Sequence, residues 1–275
     1  MGDGLASVTV EVGGVSFVAV DTTDLRYGDF WGPFAAGIIE PETVATICRH
    51  AGPGRLFIDV GAWIGPFSLL AAGLGADVVA FEPDPVAAAM LRRNVALNPA
   101  LASRIDVRQQ ALGARNGRVL LESSVGLGNA RSRLVGVIEQ SGRSESEPLS
   151  VVEVDVRDAG AELGTLLKYR PHAVVKIDVE GGEFQIVPAL RSVIAVHRPV
   201  LLLSIHQPES PGRLRSIPRR AAYARRMGRV VRVLQPYRSL CRGHSHRIVG
   251  RMPLTRWQRV LTMFRLGEFE LFADD

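Results

Sequence analysis

The chain has 275 residues, of which 47% are hydrophobic and 22% are charged, and its formal net charge is +5 at pH 7. These values are typical of a globular protein, and no apolar stretch reaches the roughly 20 residues that cross a bilayer. The two cysteines, Cys48 and Cys241, stand outside any CxxC or Cys/His spacing, which argues against a disulfide framework or a zinc site. The first residues lack the basic-then-apolar pattern of a secretory signal, so we expect a cytoplasmic protein.

The first part of the chain, residues 1–40, is predicted to be a hairpin followed by a lid. Residues 8–20 alternate apolar and polar side chains around Gly13 and Gly14, as the strands and turn of a β-hairpin do. The aromatic-rich residues 22–37 have no clear period, so we predict a loop or a short helix there. Aromatic side chains in such a segment can cover a binding site, and we expect it to act as a lid.

Residues 41–275 are predicted to form the main domain, in which strands and helices alternate. Strands are predicted at 56–60, 77–81, 105–109, 118–122, 151–154, 173–177 and 199–205, with helices starting near 41 and at 66–73, 85–97, 161–169 and 183–195. This alternation is typical of a Rossmann-like, doubly wound α/β fold whose mainly parallel sheet is covered on both faces. Residues 123–148, which are rich in Gly, Ser and Arg, are predicted to be a flexible insertion or substrate loop.

The C-terminal part, residues 210–267, is rich in arginine and contains no Asp or Glu. A helix is predicted at 218–234. Two closing strands, both antiparallel, are predicted at 247–250 and 269–273. An arginine block of this kind favours an anionic partner, such as a membrane surface, a phosphorylated substrate or a nucleic acid. A solvent-exposed helix face without a partner explains the same pattern. If the partner is a membrane, the protein would lie peripherally at its inner face.

A strand that ends in an acid and opens into two glycines is the most informative motif of the chain. Asp59, Gly61 and Gly65 follow one apolar run, and Glu82 ends the next run about 20 residues later. This layout is that of a nucleotide-binding βαβ unit, in which the second acid binds a ribose diol. The acid ahead of the first glycine and the lack of a G-x-G-x-x-G turn argue against a pyrophosphate cradle. They favour S-adenosylmethionine, whose ammonium and sulfonium groups suit a carboxylate.

Five further residues complete the predicted cofactor site. Ala62 and Trp63 lie in the glycine loop, and Pro83 follows the acid that is expected to bind the ribose. Gln110 and Ala111 stand at the end of the third strand of the main domain. Because ligands of such sheets lie beyond the carboxyl ends of the strands, we expect the adenine ring of the cofactor there.

Two strand ends further along the chain carry the candidate catalytic residues. Asp178 and Glu180 follow a buried strand, and His206 follows the last apolar strand of the parallel series. Because the carboxyl ends of parallel strands share one edge of the sheet, we expect Asp178 and His206 to face the cofactor. His206 is the predicted general base for an acceptor hydroxyl, with Asp178 as the alternative. No metal ligand is predicted, but a divalent cation held by Asp178, Glu180 and His206 stays open as a second mechanism. Glu183 is interpreted as an acid that opens the next helix.

These motifs together resemble those of FkbM-type S-adenosylmethionine-dependent methyltransferases. The resemblance rests on residues 58–65, 81–85, 91–98, 110–113, 176–183, 198–199 and 204–206, and it covers about residues 38–207. Two residues depart from the family pattern, since Trp63 stands where Asn is frequent and Gly182 where Ala is usual. The resemblance implies a class I methyltransferase fold, S-adenosylmethionine as cofactor, and O-methylation of a sugar, glycolipid or other natural-product hydroxyl.

Two other functions fit part of the pattern. A methyltransferase acting on RNA or another nucleic acid would use the arginine-rich tail. However, the sequence lacks an Asn-Pro-Pro-Tyr or Asp-Pro-Pro-Tyr motif after the fourth strand, and aromatic residues are sparse in the tail. An NAD-dependent oxidoreductase would need the third glycine that the loop lacks. We therefore expect a small-molecule or glycan acceptor rather than a nucleic acid.

Overall fold

The computed structural model describes residues 5–25, 28–123, 127–128, 133–135, 150–170, 172–206, 217–243, 254–262 and 269–274. Its strands are β1 (Ser7–Val12), β2 (Val15–Val20), β3 (Leu56–Val60), β4 (Asp77–Phe81), β5 (Ile105–Arg108), β6 (Ala111–Gly113), β7 (Gly117–Ser123), β8 (Arg133–Val135), β9 (Ser150–Asp158), β10 (Ala173–Ile177), β11 (Val200–Ile205), β12 (Ser239–Gly243) and β13 (Phe269–Asp274). Its helices are α1 (Trp31–Ala35), α2 (Pro41–His50), α3 (Pro66–Gly73), α4 (Pro85–Ala96), α5 (Pro99–Ala102), α6 (Ala159–Leu167), α7 (Glu183–Ala189), α8 (Arg191–His197), α9 (Ile217–Val233) and α10 (Arg256–Thr262). None of the helices in these ranges combines the length and the apolarity that crossing a bilayer requires.

The centre of the fold is a seven-stranded sheet in the order β12-β13-β11-β10-β3-β4-β5. Strands β11, β10, β3, β4 and β5 are parallel, whereas β13 pairs antiparallel with both β11 and β12. The predicted Rossmann-like sheet with antiparallel closing strands is therefore confirmed. β13 lies at the predicted position 269–273, but the second closing strand is β12, which the sequence pattern did not indicate. The strand predicted at 247–250 lies outside the described residues.

Both faces of this sheet are buried, which explains why its strands have near-continuous apolar sequences. In β3, Ile58 and Val60 face a core formed with α6, α7, α8 and α9. Phe57 faces a second core formed with the first four helices and the N-terminal hairpin. With both faces filled by apolar side chains, the carboxyl ends of the strands are the part of the sheet that is left for polar chemistry.

The predicted N-terminal hairpin is present as the antiparallel pair β1 and β2. The side-chain oxygens of Asn98 and Asn94 each accept a hydrogen bond of 2.8 Å, from the backbone N–H of Val18 and of Val20 respectively. The indole N–H of Trp31, in α1, donates to the carbonyl oxygen of Val20 at 2.8 Å. These bonds fix the hairpin and α1 on the main domain. The lid role of this segment stays a prediction.

A second sheet, in the order β6-β9-β7-β8, is absent from the sequence prediction. β6 runs parallel to β9, and β7 pairs antiparallel with β9 and with β8. β8 falls inside the predicted loop 123–148, so residues 133–135 of that range form a strand. β6 and β8 have 3 residues each, and alternation cannot be recognised over so short a stretch. Residues 136–149 lie outside the described part of the chain.

The helix predicted at 183–195 is in fact two helices, α7 and α8, which meet at Leu190. Pro188 lies inside α7, and a proline has no N–H to donate and crowds the carbonyl group one turn earlier. The helical hydrogen bonding is therefore interrupted, and two helices form in place of one. Helix α10 is a further element that the sequence pattern did not predict.

Candidate active site

A cavity lies beyond the carboxyl ends of β3, β4 and β10, where open α/β sheets bind their ligands. The space between its walls, including the part that is open to solvent, is about 550 Å³. Its lining residues are Val60, Gly61, Trp63, Phe81, Glu82, Pro83, Gln110, Ala111, Leu112, Leu121, Asp178, Val179 and Glu180. Seven predicted site residues are among them, namely Gly61, Trp63, Glu82, Pro83, Gln110, Ala111 and Asp178.

The other four predicted residues lie close to the cavity without lining it. Asp59 is fully buried in β3, and Ala62 is buried in the glycine loop. Gly65 directly precedes α3. His206 follows β11, with its Nε2 3.6 Å from Oδ1 of Asp178. The structure therefore brings all four to the same edge of the sheet, and their roles toward a cofactor stay predictions.

The backbone conformation of the glycine loop explains why a glycine is required at both Gly61 and Gly65. Gly61 has φ +82° and Gly65 has φ +91°, in the left-handed region that side chains disfavour. A Cβ atom on Gly61 would collide with the carbonyl oxygen of Asp178, and one on Gly65 would collide with the side chain of Leu91. The loop after β3 thus passes directly against the end of β10, which places Gly61 in the cavity wall.

Glu82 is held by backbone amides on both of its carboxylate oxygens. Its Oε2 accepts a hydrogen bond of 2.7 Å from the N–H of Trp63, and its Oε1 accepts one of 2.8 Å from the N–H of Asp84. Burial raises the pKa of Glu82 to about 7, although these two hydrogen bonds act in the opposite direction. A carboxylate has about four acceptor sites, so Glu82 can still accept hydrogen bonds from a diol in the cavity.

Trp63 connects three segments of the chain beside the cavity. Its indole N–H donates to the carbonyl oxygen of Gly128 at 2.8 Å, and the N–H of Gly128 donates to Oδ2 of Asp84 at 2.6 Å. Its ring packs edge to face against Phe30, with the ring centroids 4.8 Å apart. Trp63 therefore forms an aromatic wall of the cavity and fixes Gly128 next to it.

Lys176 is buried in β10 between two carboxylates. Its Nζ lies 3.4 Å from Oδ2 of Asp178 and 3.7 Å from Oδ1 of Asp59. Burial lowers the pKa of Lys176, but three nearby carboxylates, led by Asp178, outweigh this effect and raise it, so the ammonium group stays charged. Burial also raises the pKa of Asp59 and, together with the charge of Asp178, raises that of Glu40 to about 7. Among the described residues, carboxylates therefore outnumber cations at this end of the cavity.

His206 is surrounded by three carboxylates. Its Nδ1 is 2.9 Å from Oε1 of Glu183, and its Nε2 is 3.6 Å from Oδ1 of Asp178 and 3.8 Å from Oε1 of Glu180. Burial lowers the pKa of His206, but the hydrogen bond with Glu183 and the negative charges around the ring raise it to about 10. Burial raises the pKa of Asp178, yet the charges of Lys176 and His206 outweigh it and hold that pKa below its usual value. At neutral pH the site pairs an imidazolium with an ionised Asp178.

Two carboxylates, those of Glu183 and Glu40, belong to the site around Asp178 but were not identified from the sequence. Glu183 does open α7, as interpreted, but it is also fully buried and bonded to His206. The available signal was that Glu183 is the third acid within residues 178–183. An acid that only opens a helix normally faces solvent, so the sequence alone provided no reason to expect its burial. Glu40 stands before Pro41 without any motif around it, so no feature of the sequence indicated that the packing of α2 brings it near Asp178.

The family model of the methyltransferase FkbM domain matches residues 59–228 of the chain, which is more than half of its length. The match begins in β3 and extends beyond β11, so the residues that line the cavity lie within it. A comparison with curated proteins found no match.

Several solved structures also match. The methyltransferase FkbM from Methylobacillus flagellatus KT is 19% identical, with 66% of this chain and 51% of that chain covered and a TM-score of 0.35. The SAM-dependent methyltransferase from Agrobacterium tumefaciens is 11% identical, with 99% and 70% covered and a TM-score of 0.47. A SAM-dependent O-methyltransferase from Thermotoga maritima is 11% identical, with 85% and 64% covered and a TM-score of 0.38. The chain spans about half the length of the first of these proteins.

Proposed function

The chain belongs to the FkbM methyltransferase family, and we propose that it transfers the methyl group of S-adenosylmethionine to a hydroxyl oxygen of a small acceptor. The family identifies a methyltransferase with this methyl donor, and we add the class of acceptor, a sugar, a glycolipid or another natural product. The observation that carries the proposal is the cavity itself. It has Glu82 at one end and Asp178 and Glu180 at the other, and none of its described lining residues is basic.

We propose that the adenosine part of the cofactor binds on the side of Glu82. The Glu82 carboxylate would accept hydrogen bonds from the ribose hydroxyls, while Gln110 and Ala111 would contact the adenine ring. Pro83 and Trp63 would form the apolar walls beside the nucleoside. Each of these residues lines the cavity.

The sulfonium end of the cofactor is proposed to lie toward Asp178. Gly61 lines the cavity between the two ends, because its backbone passes against the carbonyl oxygen of Asp178. A cation in a partly buried site is stabilised by nearby carboxylates. Asp59, Ala62 and Gly65 do not line the cavity, so we assign them the indirect role of holding the loop that carries Gly61.

In the proposed reaction, a lone pair of the acceptor oxygen forms the new C–O bond while the C–S bond of the sulfonium breaks. The sulfur leaves as a neutral thioether, and the hydroxyl proton is released to a neighbouring base. Asp178 is ionised and lines the cavity, so we assign it as the group that first accepts this proton. His206 remains a candidate base only in its neutral form, and as an imidazolium it would orient Asp178. Most of the rate enhancement would come from orientation of the two reactants.

The charge of the cavity supports a hydroxyl acceptor rather than a nucleic acid. The carboxylates of Asp178 and Glu180 can accept hydrogen bonds from the hydroxyl groups of a neutral acceptor. The same carboxylates would repel a phosphate group, and the described lining contains no arginine or lysine to offset that repulsion. A neutral, hydroxyl-rich molecule therefore fits this site better than a phosphodiester.

The exposed arginines of α9 are proposed to contact an anionic membrane surface, where a lipid-linked acceptor would be found. Tyr223 and Met227 face the core, whereas Arg225, Arg226 and Arg229 are exposed. Basic side chains on one side of a helix bind anionic lipid headgroups. Flotation with liposomes that contain anionic lipid tests this role. We expect wild type to float and a triple Arg225→Gln, Arg226→Gln, Arg229→Gln variant to float less, and equal behaviour of the two would remove the membrane from the proposal.

Methyl transfer from labelled S-adenosylmethionine to a panel of hydroxyl-containing acceptors tests the central proposal. Asp178→Asn should lower turnover roughly 100-fold, since a positioned proton acceptor contributes at least that much. Asp106→Asn is the matched control, because Asp106 is exposed and its partner is Arg108, and it should retain full turnover. Label that appears on nitrogen or on RNA instead, or a chain that binds NADH but not S-adenosylmethionine, would contradict the proposal.

A further inference from the structure

Three potential metal ligands from three different elements meet at the acidic end of the cavity. Asp178 follows β10, Glu183 opens α7, and His206 follows β11. One carboxylate oxygen of Asp178, one of Glu183 and one ring nitrogen of His206 all lie within 4.8 Å of one another. Carboxylates and imidazole are the common ligands of divalent metal ions in proteins.

Glu183 provides a second observation that points to a cation. Its side chain is fully buried, and its Oε1 is engaged with the N–H of Val179 at 3.2 Å and with Nδ1 of His206 at 2.9 Å. Its Oε2 is also buried and has no hydrogen-bond partner among the residues that the structure describes. A buried carboxylate oxygen without a partner is costly, and buried charges in proteins are normally paired or coordinate a metal ion.

The distances on the other side of the imidazole ring fit the same conclusion. Nε2 of His206 is 3.6 Å from Oδ1 of Asp178 and 3.8 Å from Oε1 of Glu180. Charge-assisted hydrogen bonds are shorter, about 2.7–2.9 Å. Two ligands bound to one ion at about 2.1 Å lie roughly 3.0–3.5 Å apart in octahedral or tetrahedral geometry. The 3.6 Å separation of Nε2 from Oδ1 of Asp178 is therefore closer to that of two ligands around a shared ion than to that of a direct hydrogen bond.

We propose that Asp178, Glu183 and His206 bind one divalent cation, with Glu180 next to it, and that the imidazolium of His206 gives up a proton to solvent when the cation binds. A mixed set of oxygen and nitrogen ligands favours Mn²⁺ or Zn²⁺ over Mg²⁺ or Ca²⁺. This inference rests on the proposed function for its purpose, because a cation beside the cavity would bind the acceptor oxygen and lower the pKa of its hydroxyl group. The released proton then passes to solvent or to a neighbouring carboxylate, and the methyl group moves from sulfur to oxygen as before.

Titration of Mn²⁺ into the full chain after EDTA treatment, followed by electron paramagnetic resonance, tests the site without any activity assay. We expect one Mn²⁺ per chain. Asp178→Asn, Glu183→Gln and His206→Gln should each weaken Mn²⁺ binding at least tenfold. Asp155→Asn is the matched control, since Asp155 belongs to an exposed ion pair with Arg118, and it should bind Mn²⁺ as wild type does.

A second measurement on wild type avoids the risk that a buried variant fails to fold. Co²⁺ added to the EDTA-treated chain should produce a visible absorption band that is displaced by Zn²⁺. No stoichiometric Mn²⁺ binding, no Co²⁺ band, or Mn²⁺ affinity unchanged in all three folded variants would overturn the proposal.

S-adenosylmethionine binding in EDTA separates this inference from the proposed function. If the cofactor binds in EDTA while Mn²⁺ and Co²⁺ do not, the cation site is wrong and the proposed function stands. If Mn²⁺ binds but S-adenosylmethionine does not bind with or without Mn²⁺, the proposed function fails and the cation site stands.

Discussion

The functional side chains at the two ends of the cavity are held in place by different kinds of contact. At the end that we propose to bind the ribose, here called the ribose end, the carboxylate of Glu82 accepts hydrogen bonds from the backbone amides of Trp63 and Asp84. At the acidic end, Asp178 and His206 are held by side chains that come from separate strands and helices. The positions of backbone amides are determined by the local fold of the chain, whereas the positions of side-chain partners depend on long-range packing. The ribose end is therefore preorganised by the loops after β3 and β4, and the acidic end by the contacts among β10, α7 and β11.

Gly61→Ala should have the largest effect, because it damages the point where the two ends meet. The new Cβ would collide with the carbonyl oxygen of Asp178, at a residue with φ +82°. We expect a loss of about 4 kcal/mol of unfolding free energy from steric overpacking and left-handed strain, together with loss of S-adenosylmethionine binding. Gly54→Ala is the control, since its φ is +75° but its Cβ would meet nothing within 4 Å. Equal unfolding free energies for the two variants would refute the close approach.

Lys176→Met should be the next largest change, and it acts at the acidic end. Removing the ammonium leaves the fully buried Asp59 without its cation and leaves the half-buried Asp178 with His206 alone, which should cost about 3 kcal/mol of unfolding free energy. Urea unfolding at pH 7 measures this loss. Lys168→Met is the matched control, because Lys168 is the other lysine of the chain and is exposed, and surface changes usually stay within about 0.5 kcal/mol. If the two variants unfold at the same urea concentration, the ion pairs of Lys176 do not stabilise the fold.

The pKa of Glu82 gives a prediction that is specific to the ribose end. Burial raises this pKa to about 7, and only the ionised carboxylate can accept hydrogen bonds from the ribose on both oxygens. Lowering the pH from 8 to 6 should therefore weaken cofactor binding about tenfold, since the ionised fraction falls by that factor. Calorimetric titration at both pH values measures it. Glu82→Gln should bind more weakly at both and lose the difference between them, and a variant that keeps the wild-type pH dependence would assign the titration to another group.

Trp63→Phe should have the smallest effect. The aromatic contact with Phe30 can be kept, but the indole hydrogen bond to the carbonyl oxygen of Gly128 is lost. One hydrogen bond contributes about 1 kcal/mol, so we expect roughly fivefold weaker cofactor binding. Trp257→Phe, at a residue that is 78% exposed, should leave the affinity unchanged. Equal affinities of the two variants would show that fixing Gly128 does not matter for the cofactor.

The centre of the parallel sheet could be predicted because β3, β4 and β10 are apolar runs that end next to Gly61, Glu82 and Asp178. The predicted and observed bounds of β3, β4 and β10 are the same, and the FkbM resemblance is confirmed by the family match. In the second sheet, β7 and β9 correspond to the strands predicted at 118–122 and 151–154, but β6, β8 and the pairing of the four strands could not be predicted. β6 and β8 are too short for a pattern, and β8 forms only by pairing with β7.

The candidate site shows the same division between local and long-range information. The backbone loop around Gly61 and the acid Glu82 are local features of the sequence, and both line the cavity. Glu183 is hydrogen-bonded to His206, which a different strand brings to it. Sequence spacing indicates which residues reach the sheet edge, but the hydrogen-bond partners there depend on tertiary packing.

The most direct test of the two-ended site compares S-adenosylmethionine with S-adenosylhomocysteine, whose sulfur is neutral, by calorimetric titration in EDTA. We expect Asp178→Asn to weaken binding of S-adenosylmethionine about tenfold more than binding of S-adenosylhomocysteine, because only the former carries the sulfonium charge. Glu82→Gln should weaken both ligands by the same factor, since they share the ribose. If Asp178→Asn changes both ligands equally, or Glu82→Gln changes neither, the assignment of the two ends is contradicted.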